Sequence, residues 1–105
     1  MNVGYLGILA IACAFAGNVL AEDGATLAQS HNCLTCHAVD HKKLGPAFKD
    51  VAAKYKDDKN AQATLEKKVR NGGGGKWGNM PMPATARSVS DADVRNIVQW
   101  VLSLK

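Results

Sequence analysis

The apolar residues of this chain recur at helical spacing, with no stretch that alternates apolar and polar positions. The clearest stripe lies near the C-terminus and consists of Val94, Ile97, Val98, Val101 and Leu102. A second stripe is made by Phe48, Val51, Ala52 and Tyr55, and a third by Ala61, Leu65 and Val69. Each stripe predicts an amphipathic helix with one face in the core.

Residues that favour helix ends flank these stripes. Asp23 is a candidate N-cap for a first helix that runs through Leu27 and Ala28 toward Cys33. Ser90, with Asp93 three positions later, resembles a capping box for the last helix.

The two middle helices have end signals of their own. Pro46 suits the first turn of the second helix, Asn60 or Asp58 can cap the third, and Gly72 ends it. Residues 72–83 are rich in glycine and proline, which predicts a loop. We therefore expect an all-α fold of four short helices and no strand.

The first 21 residues have the pattern of a cleaved secretory signal peptide, which leaves residues 22–105 as a single domain. No charged side chain occurs from Val3 to Leu20, and Val19 and Ala21 suit positions −3 and −1 of a cleavage site. The leader departs from the usual pattern in lacking Lys and Arg. A retained membrane anchor and lipidation at Cys13 are the alternatives.

Charge and cysteine content limit the functions and bonds that are expected of the domain. The formal net charge of +4 lies wholly beyond residue 21, which suits an anionic membrane or an acidic protein partner, because export argues against nucleic acid. Without Cys13, only Cys33 and Cys36 remain, so no structural disulfide is expected. A domain this short has a thin core that a bound apolar group would strengthen.

Cys33, Cys36 and His37 form a C-x-x-C-H motif, the attachment signature of a c-type haem. Two thiols one helical turn apart can each form a thioether with one porphyrin, and the adjacent histidine can then reach the iron. We expect the other ring nitrogen of His37 to donate a hydrogen bond to the carbonyl of Pro46.

Four side chains compete for the second axial position of the iron: Met80, Met82, His31 and His41. We favour Met82, because Pro81 and Pro83 fix its backbone and a ligand loop needs to be pre-organised. Met80 is expected to fill a gap in the core. His31 and His41 are expected to be exposed, since both lie close to the attachment motif in the chain.

Two other chemistries use the same cysteines. Cys33, Cys36, His37 and His41 could in principle hold zinc, but adjacent Cys36 and His37 diverge on a helical turn. A thioredoxin-like redox pair would need strands around it. Neither alternative explains the methionine loop.

Other residues are candidates for contacts with haem or with partners. Trp77 precedes the proposed ligand, and its indole N–H suits a haem propionate, with core filling as the alternative. Lys68 and Arg70 could offset propionate charge, or could simply be solvated. A basic rim around the exposed haem edge is expected from Lys42, Lys43, Lys49 and Lys76.

Taken together, these motifs resemble those of the class I bacterial cytochromes c of the cytochrome c-551 type, also called cytochrome c8. The matching segments are Cys33–His37, Gly45–Tyr55, Asn71–Gly72, Trp77–Gly78, Pro81–Pro83 and Gln99–Ser103. Two departures are four consecutive glycines before Lys76 and a lysine at position 68, where many relatives carry arginine.

The resemblance implies a monomeric periplasmic electron carrier with one covalent haem c, and no enzymatic activity of its own. Its donor would be a respiratory complex such as a cytochrome bc complex, and its acceptor a terminal reductase, peroxidase or oxidase. The resemblance also implies Met82 as axial ligand, Pro46 as the partner of His37, Trp77 as a propionate contact, and a crossing of the first and last helices. A haem sensor or peroxidase-like protein, in which Met82 dissociates, and a docking subunit of a larger enzyme are the alternative classes.

Overall fold

A computed structural model describes residues 23–105, and this part of the chain is helical. Its helices are α1 (Gly24–Ser30), α2 (Cys33–Cys36), α3 (Phe48–Lys54), α4 (Ala61–Asn71) and α5 (Asp91–Ser103). No strand occurs between residues 23 and 105, where the pairing of Gly73 with Met82 is an isolated β-bridge. The all-α fold is confirmed. The leader and Cys13 lie outside the described residues.

The predicted first helix is divided in two, so the described chain has five helices where four were expected. The division falls at His31 and Asn32, and Asn32 has a left-handed backbone with φ of 64°. Asparagine tolerates this conformation better than most residues. The break separates the single turn that carries Cys33 and Cys36 from α1, and so lets the attachment motif take its own direction.

The predicted caps of α1 and α5 are confirmed. Asp23 Oδ1 accepts a hydrogen bond of 2.8 Å from the Thr26 N–H, and Ser90 Oγ accepts one of 3.0 Å from the Asp93 N–H. The Asp93 carboxylate makes a contact that the capping box does not predict. Its Oδ2 lies 3.0 Å from Nε2 of His31, which joins the end of α1 to the first turn of α5.

The middle helices begin slightly differently from expectation. Pro46 precedes the N-cap residue Ala47 of α3 and so lies outside its first turn. Asn60 is the N-cap of α4 without a side-chain cap bond, and its own N–H donates to Asp58 Oδ1 at 2.8 Å. Gly72 ends α4 as predicted, with φ of 70° and its N–H donating to the Lys68 carbonyl at 2.7 Å.

Helix α5 is the centre of the core and packs against α1, α3 and α4. The predicted stripe is buried at Val94, Ile97, Val98 and Val101. Gly24 allows α1 and α5 to cross closely, since a Cβ at this position would lie within 3.0 Å of Trp100 Cβ and of the Asn96 carbonyl oxygen. This is the crossing of first and last helices that the resemblance implied. It leaves the opposite side of α5 to face the cavity described next.

Candidate haem site

A cavity of about 660 Å³ opens between the attachment motif, α5 and the loop of residues 72–83. This volume is within the range of roughly 300–1,000 Å³ that small-molecule and cofactor sites occupy. Apolar side chains from α3, α4 and α5 line its floor, and these are Phe48, Val51, Tyr55, Leu65, Val69, Ile97, Val98 and Val101. Cys33, Cys36 and His37 line it from one segment, and Met80 and Met82 line it from the loop.

The His37 ring is held in one orientation. Its Nδ1 lies 2.8 Å from the Pro46 carbonyl oxygen, so Nδ1 carries the proton and donates, as the sequence predicted. The ring also stacks on Phe48, with centroids 4.8 Å apart and planes at 20°. Because donation from Nδ1 fixes the tautomer, the lone pair of Nε2 is available to a metal. His37 is 9% exposed, which is consistent with a ligand buried against a cofactor.

The backbone at Gly45 lies directly against the His37 ring. The Gly45 N–H donates to the Cys36 carbonyl at 2.7 Å, which fastens the loop to the attachment turn. A Cβ at position 45 would lie 2.5 Å from Cε1 and 2.8 Å from Nδ1 of His37. Only glycine leaves room for the imidazole here.

The two cysteines lie on the single turn of α2, and both thiols are free and partly exposed to the cavity. Burial raises the pKa of the Cys33 thiol. The thioredoxin-like alternative would need strands around the cysteine pair, and residues 23–105 contain none. Residues 23–105 contain no group of three or more His, Cys, Asp or Glu side chains arranged to hold a metal ion.

Met82 is fixed through its own backbone. Its N–H donates to the Gly73 carbonyl at 2.8 Å, and its carbonyl accepts from the Gly73 N–H at 2.9 Å. The flanking prolines have no N–H, so this pairing aligns the segment at Met82 itself. Met82 is partly buried, whereas Met80 is 63% exposed and lies outside the core. The expectation that Met80 fills a core gap is therefore wrong, and both methionines line the cavity.

The remaining histidines lie elsewhere. His41 is exposed, as expected, and its Nδ1 lies 2.9 Å from Asp40 Oδ1; this hydrogen bond lowers the pKa of Asp40. His31 is only 26% exposed and is paired with Asp93, so the expectation of an exposed side chain is wrong for it. Neither histidine lines the cavity.

Among the proposed propionate contacts, Trp77 and Lys68 line the cavity and Arg70 does not. Arg70 instead donates to the carbonyls of Ala86 at 3.2 Å and Val89 at 2.8 Å, and to Asp91 Oδ1 at 2.8 Å. The suggestion that Arg70 offsets propionate charge is therefore wrong. Its guanidinium holds the segment before α5 against the end of α4.

The lysines of the expected rim are exposed, but only Lys76 of that set lines the cavity. Nζ of Lys43 donates a hydrogen bond of 3.0 Å to the Leu34 carbonyl. The sequence patterns did not indicate several lining residues. Among them are Lys67 and Thr64, which have the pattern of solvated positions on an amphipathic helix, and Leu44, which is 59% exposed. No periodic signal marks Leu44, because it lies in a loop.

These residues fit a covalently attached haem. Two thiols share one turn, the adjacent imidazole presents an unprotonated Nε2, a methionine comes from a separate segment, and the floor of the cavity is apolar. Such a combination is typical of c-type haem proteins.

Comparison with known proteins gives the family. The model of the family described as "Cytochrome c" matches residues 21–105, and this chain belongs to that family. It is 43% identical over 100 residues to cytochrome c-551 of Pseudomonas aeruginosa, covering 95% of this chain and 94% of the relative. It is 41% identical over 105 residues to cytochrome c-552 of Nitrosomonas europaea, covering all of both chains.

Solved structures agree with the fold. The crystal structure of wild-type Nitrosomonas europaea cytochrome c552 superposes with a TM-score of 0.74 and 47% identity, over 77% of this chain and 99% of that chain. Members of this family carry covalently bound haem c, and Cys33–His37 fits the attachment motif. The protein is thus a monohaem c-type cytochrome, of a family that transfers electrons. Within residues 23–105, no helix is long and apolar enough to cross a membrane.

Proposed function

We propose that this protein carries single electrons in the periplasm, from a respiratory donor such as a cytochrome bc complex to a terminal reductase, peroxidase or oxidase. One observation carries the proposal: the attachment turn with His37 and the paired segment with Met82 line the same cavity. A one-electron carrier needs both faces of the iron occupied by protein, so that it exchanges electrons with little rearrangement.

In this proposal each cavity residue has a defined role. Cys33 and Cys36 form the thioethers, and His37 and Met82 are the axial ligands. When bound, haem supplies an iron centre whose reduction potential the thioether ligand raises. The Pro46 carbonyl keeps His37 in the tautomer and orientation that present Nε2, at 2.8 Å from Nδ1.

The propionates of the haem are assigned to the loop side of the cavity. Trp77 would donate its indole N–H to one propionate, and Lys68 would offset its charge. Two features support this assignment: both residues line the cavity, and the Lys68 Nζ lies beside the backbone of Gly73, where the ligand loop begins. A buried propionate would otherwise be an unpaired charge.

We propose that the protein itself is not an enzyme, because a closed six-coordinate iron leaves no position for a substrate. Mixing the reduced protein with carbon monoxide at neutral pH tests this. The carrier is expected to bind no carbon monoxide promptly, since Met82 occupies the position. Prompt binding would instead favour the sensor or peroxidase-like class.

Partner docking is assigned to the mouth of the cavity. Leu44 and Met80, which are 59% and 63% exposed, line the cavity, as does the exposed Lys76. An apolar centre with basic surroundings suits an acidic redox partner, and we propose that the carrier meets it as a monomer. Electron exchange with such a partner is expected to slow as salt rises, and Lys76→Glu to slow it further. Sedimentation of the native extract tests the alternative of a permanent subunit.

Export and haem attachment can be tested together. The small residues Val19 and Ala21 at positions −3 and −1 support removal of residues 1–21, which leaves Glu22 at the N-terminus. Mass spectrometry of the periplasmic fraction is expected to give the chain from Glu22 plus one haem. A mass that includes the leader would support the membrane-anchor alternative, and an added lipid on Cys13 would support lipidation.

A further inference from the structure

Two cation–π contacts cross between the end of α3 and the ligand loop. Nζ of Lys54 lies 4.6 Å from the ring centroid of Trp77, and Nζ of Lys76 lies 4.6 Å from the ring centroid of Tyr55. Each segment contributes one lysine and the aromatic residue that follows it, Lys54 and Tyr55 from the end of α3 and Lys76 and Trp77 from the loop. Each lysine contacts the aromatic ring of the other segment. We call these four side chains the clasp.

The α3 half of the clasp is rigid. Tyr55 is the C-cap of α3 and is only 6% exposed, and Lys54 is in the last turn of the helix. Tyr55 also lines the cavity, as do Trp77 and Lys76 from the loop. The clasp therefore joins the cavity wall directly to the loop that carries Met82.

The loop half has little else to hold it. Residues 73–81 are exposed, and Gly75 and Gly78 have φ of 98° and 121°, with open space around their α-carbons. The Gly75 N–H donates to the Gly78 carbonyl at 3.0 Å, which makes a tight turn with Lys76 and Trp77 at its tip. Glycines contribute no side-chain packing, so the clasp, together with the propionate contact proposed for Trp77, anchors this turn.

We propose that the clasp keeps the ligand loop closed and thereby positions Met82, with Lys54 and Lys76 acting as positioning residues. This inference rests on the axial role proposed for Met82. The turn lies between the two residues of the Gly73–Met82 pair, so release of the turn loosens that pair. Each exposed cation–π contact changes an open–closed equilibrium by about 2- to 5-fold, and the two together by about 5- to 25-fold.

Hydrogen exchange of the holoprotein tests the clasp without relying on the iron. The amides of Gly73 and Met82, which pair with each other, are expected to exchange about 2- to 5-fold faster in Lys54→Gln or Lys76→Gln, and about 5- to 25-fold faster in the double variant. The Thr85 amide, bonded to Val69, is an internal control that should not change. Lys59→Gln is the matched control, since Lys59 is exposed and does not line the cavity.

A second measurement follows the ligand itself. Saturating cyanide binds ferric holoprotein at the rate at which the methionine position opens, and this rate is expected to rise by the same factors in the glutamine variants. Lys76→Arg, which keeps a cation over the Tyr55 ring, should restore parental behaviour. A purely electrostatic role in partner docking would leave both exchange and cyanide rates unchanged.

The outcomes separate the clasp from the ligand assignment. The clasp would be overturned if the Gly73 and Met82 amides exchanged at the parental rate in the double variant. It would also be overturned if Lys76→Arg behaved like Lys76→Gln. If Met82 is not the ligand, Met82→Ala keeps the parental spectrum. Faster exchange with unchanged cyanide rates would show that the turn opens without moving the axial ligand, and would overturn the positioning role.

Discussion

The Pro46 carbonyl oxygen and His37 Nδ1 are joined by a hydrogen bond of 2.8 Å, and this contact sets the orientation of the imidazole. Gly45 reinforces it from the neighbouring position, because its backbone lies directly against the same ring. The ligand is therefore organised by a loop that is itself fastened to the attachment turn through the Gly45–Cys36 hydrogen bond.

Substitution of Gly45 should disturb this arrangement. Gly45→Ala adds a methyl group 2.5 Å from His37 Cε1, so the ring or the loop has to move. We expect the free energy of unfolding to fall by about 1–3 kcal/mol, as overpacking generally costs. Denaturant unfolding of the holoprotein measures this, and the midpoint potential should shift as well. Parental values of both quantities would contradict a close approach of this loop to the ring.

Arg70 should matter for stability and not for the haem. Its bonds to the Ala86 and Val89 carbonyls are lost in Arg70→Met, and we expect the unfolding free energy to fall by about 2 kcal/mol. The reduction potential should stay close to parental, because Arg70 does not line the cavity.

Asp91→Asn is the matched control for this prediction. It removes the negative charge that pairs with Arg70 in the first turn of α5, and Asp91 is 90% exposed, so the expected loss is under about 1 kcal/mol. If Asp91→Asn costs as much as Arg70→Met, the ion pair and not the two carbonyl bonds holds the segment.

Acid stability should depend on Asp23. The hydrogen bond from the Thr26 N–H holds the pKa of Asp23 below its ordinary value of 3.8. A carboxyl with a lowered folded-state pKa contributes stability that is fully present above the unfolded value and is lost as pH falls through the folded one. Asp23→Asn keeps an uncharged cap, so its unfolding free energy should fall less steeply than that of the parent below about pH 4.

Unfolding curves over this acidic range give the comparison. Asp57→Asn is the control, since Asp57 is an exposed carboxylate in the turn between α3 and α4. If the unfolding free energies of the parent and of Asp23→Asn fall equally steeply with decreasing pH, protonation of the Asp23 carboxyl does not weaken the cap.

The features that the sequence predicted well are those with a local cause. Apolar periodicity located the helices, and a short polar side chain at Asp23 and Ser90 located two caps, because capping depends on residues only three positions apart. The attachment motif is likewise local. The His37–Pro46 bond spans nine positions, and it could be anticipated because the covalent link fixes the place of the imidazole.

Two of the errors concern side chains whose partners lie far along the chain or in the backbone. Arg70 binds carbonyls 16 and 19 positions away, which no residue pattern records. His31 pairs with Asp93 across 62 positions, and its place beside the α1–α2 break depends on the left-handed backbone of Asn32. The clasp was invisible for the same reason, since Lys54 and Lys76 have the pattern of solvated lysines.

The most direct test of the account is the pair of variants Met82→Ala and Met80→Ala, compared with the parent by optical and redox titration of the mature holoprotein. Both methionines line the cavity, but only Met82 is fixed by the pairing with Gly73. We predict that Met82→Ala loses the spectral signature of thioether ligation and lowers the midpoint potential, whereas Met80→Ala keeps both. A Met82→Ala variant with the parental spectrum and potential would contradict the central claim that His37 and Met82 close the two faces of the iron.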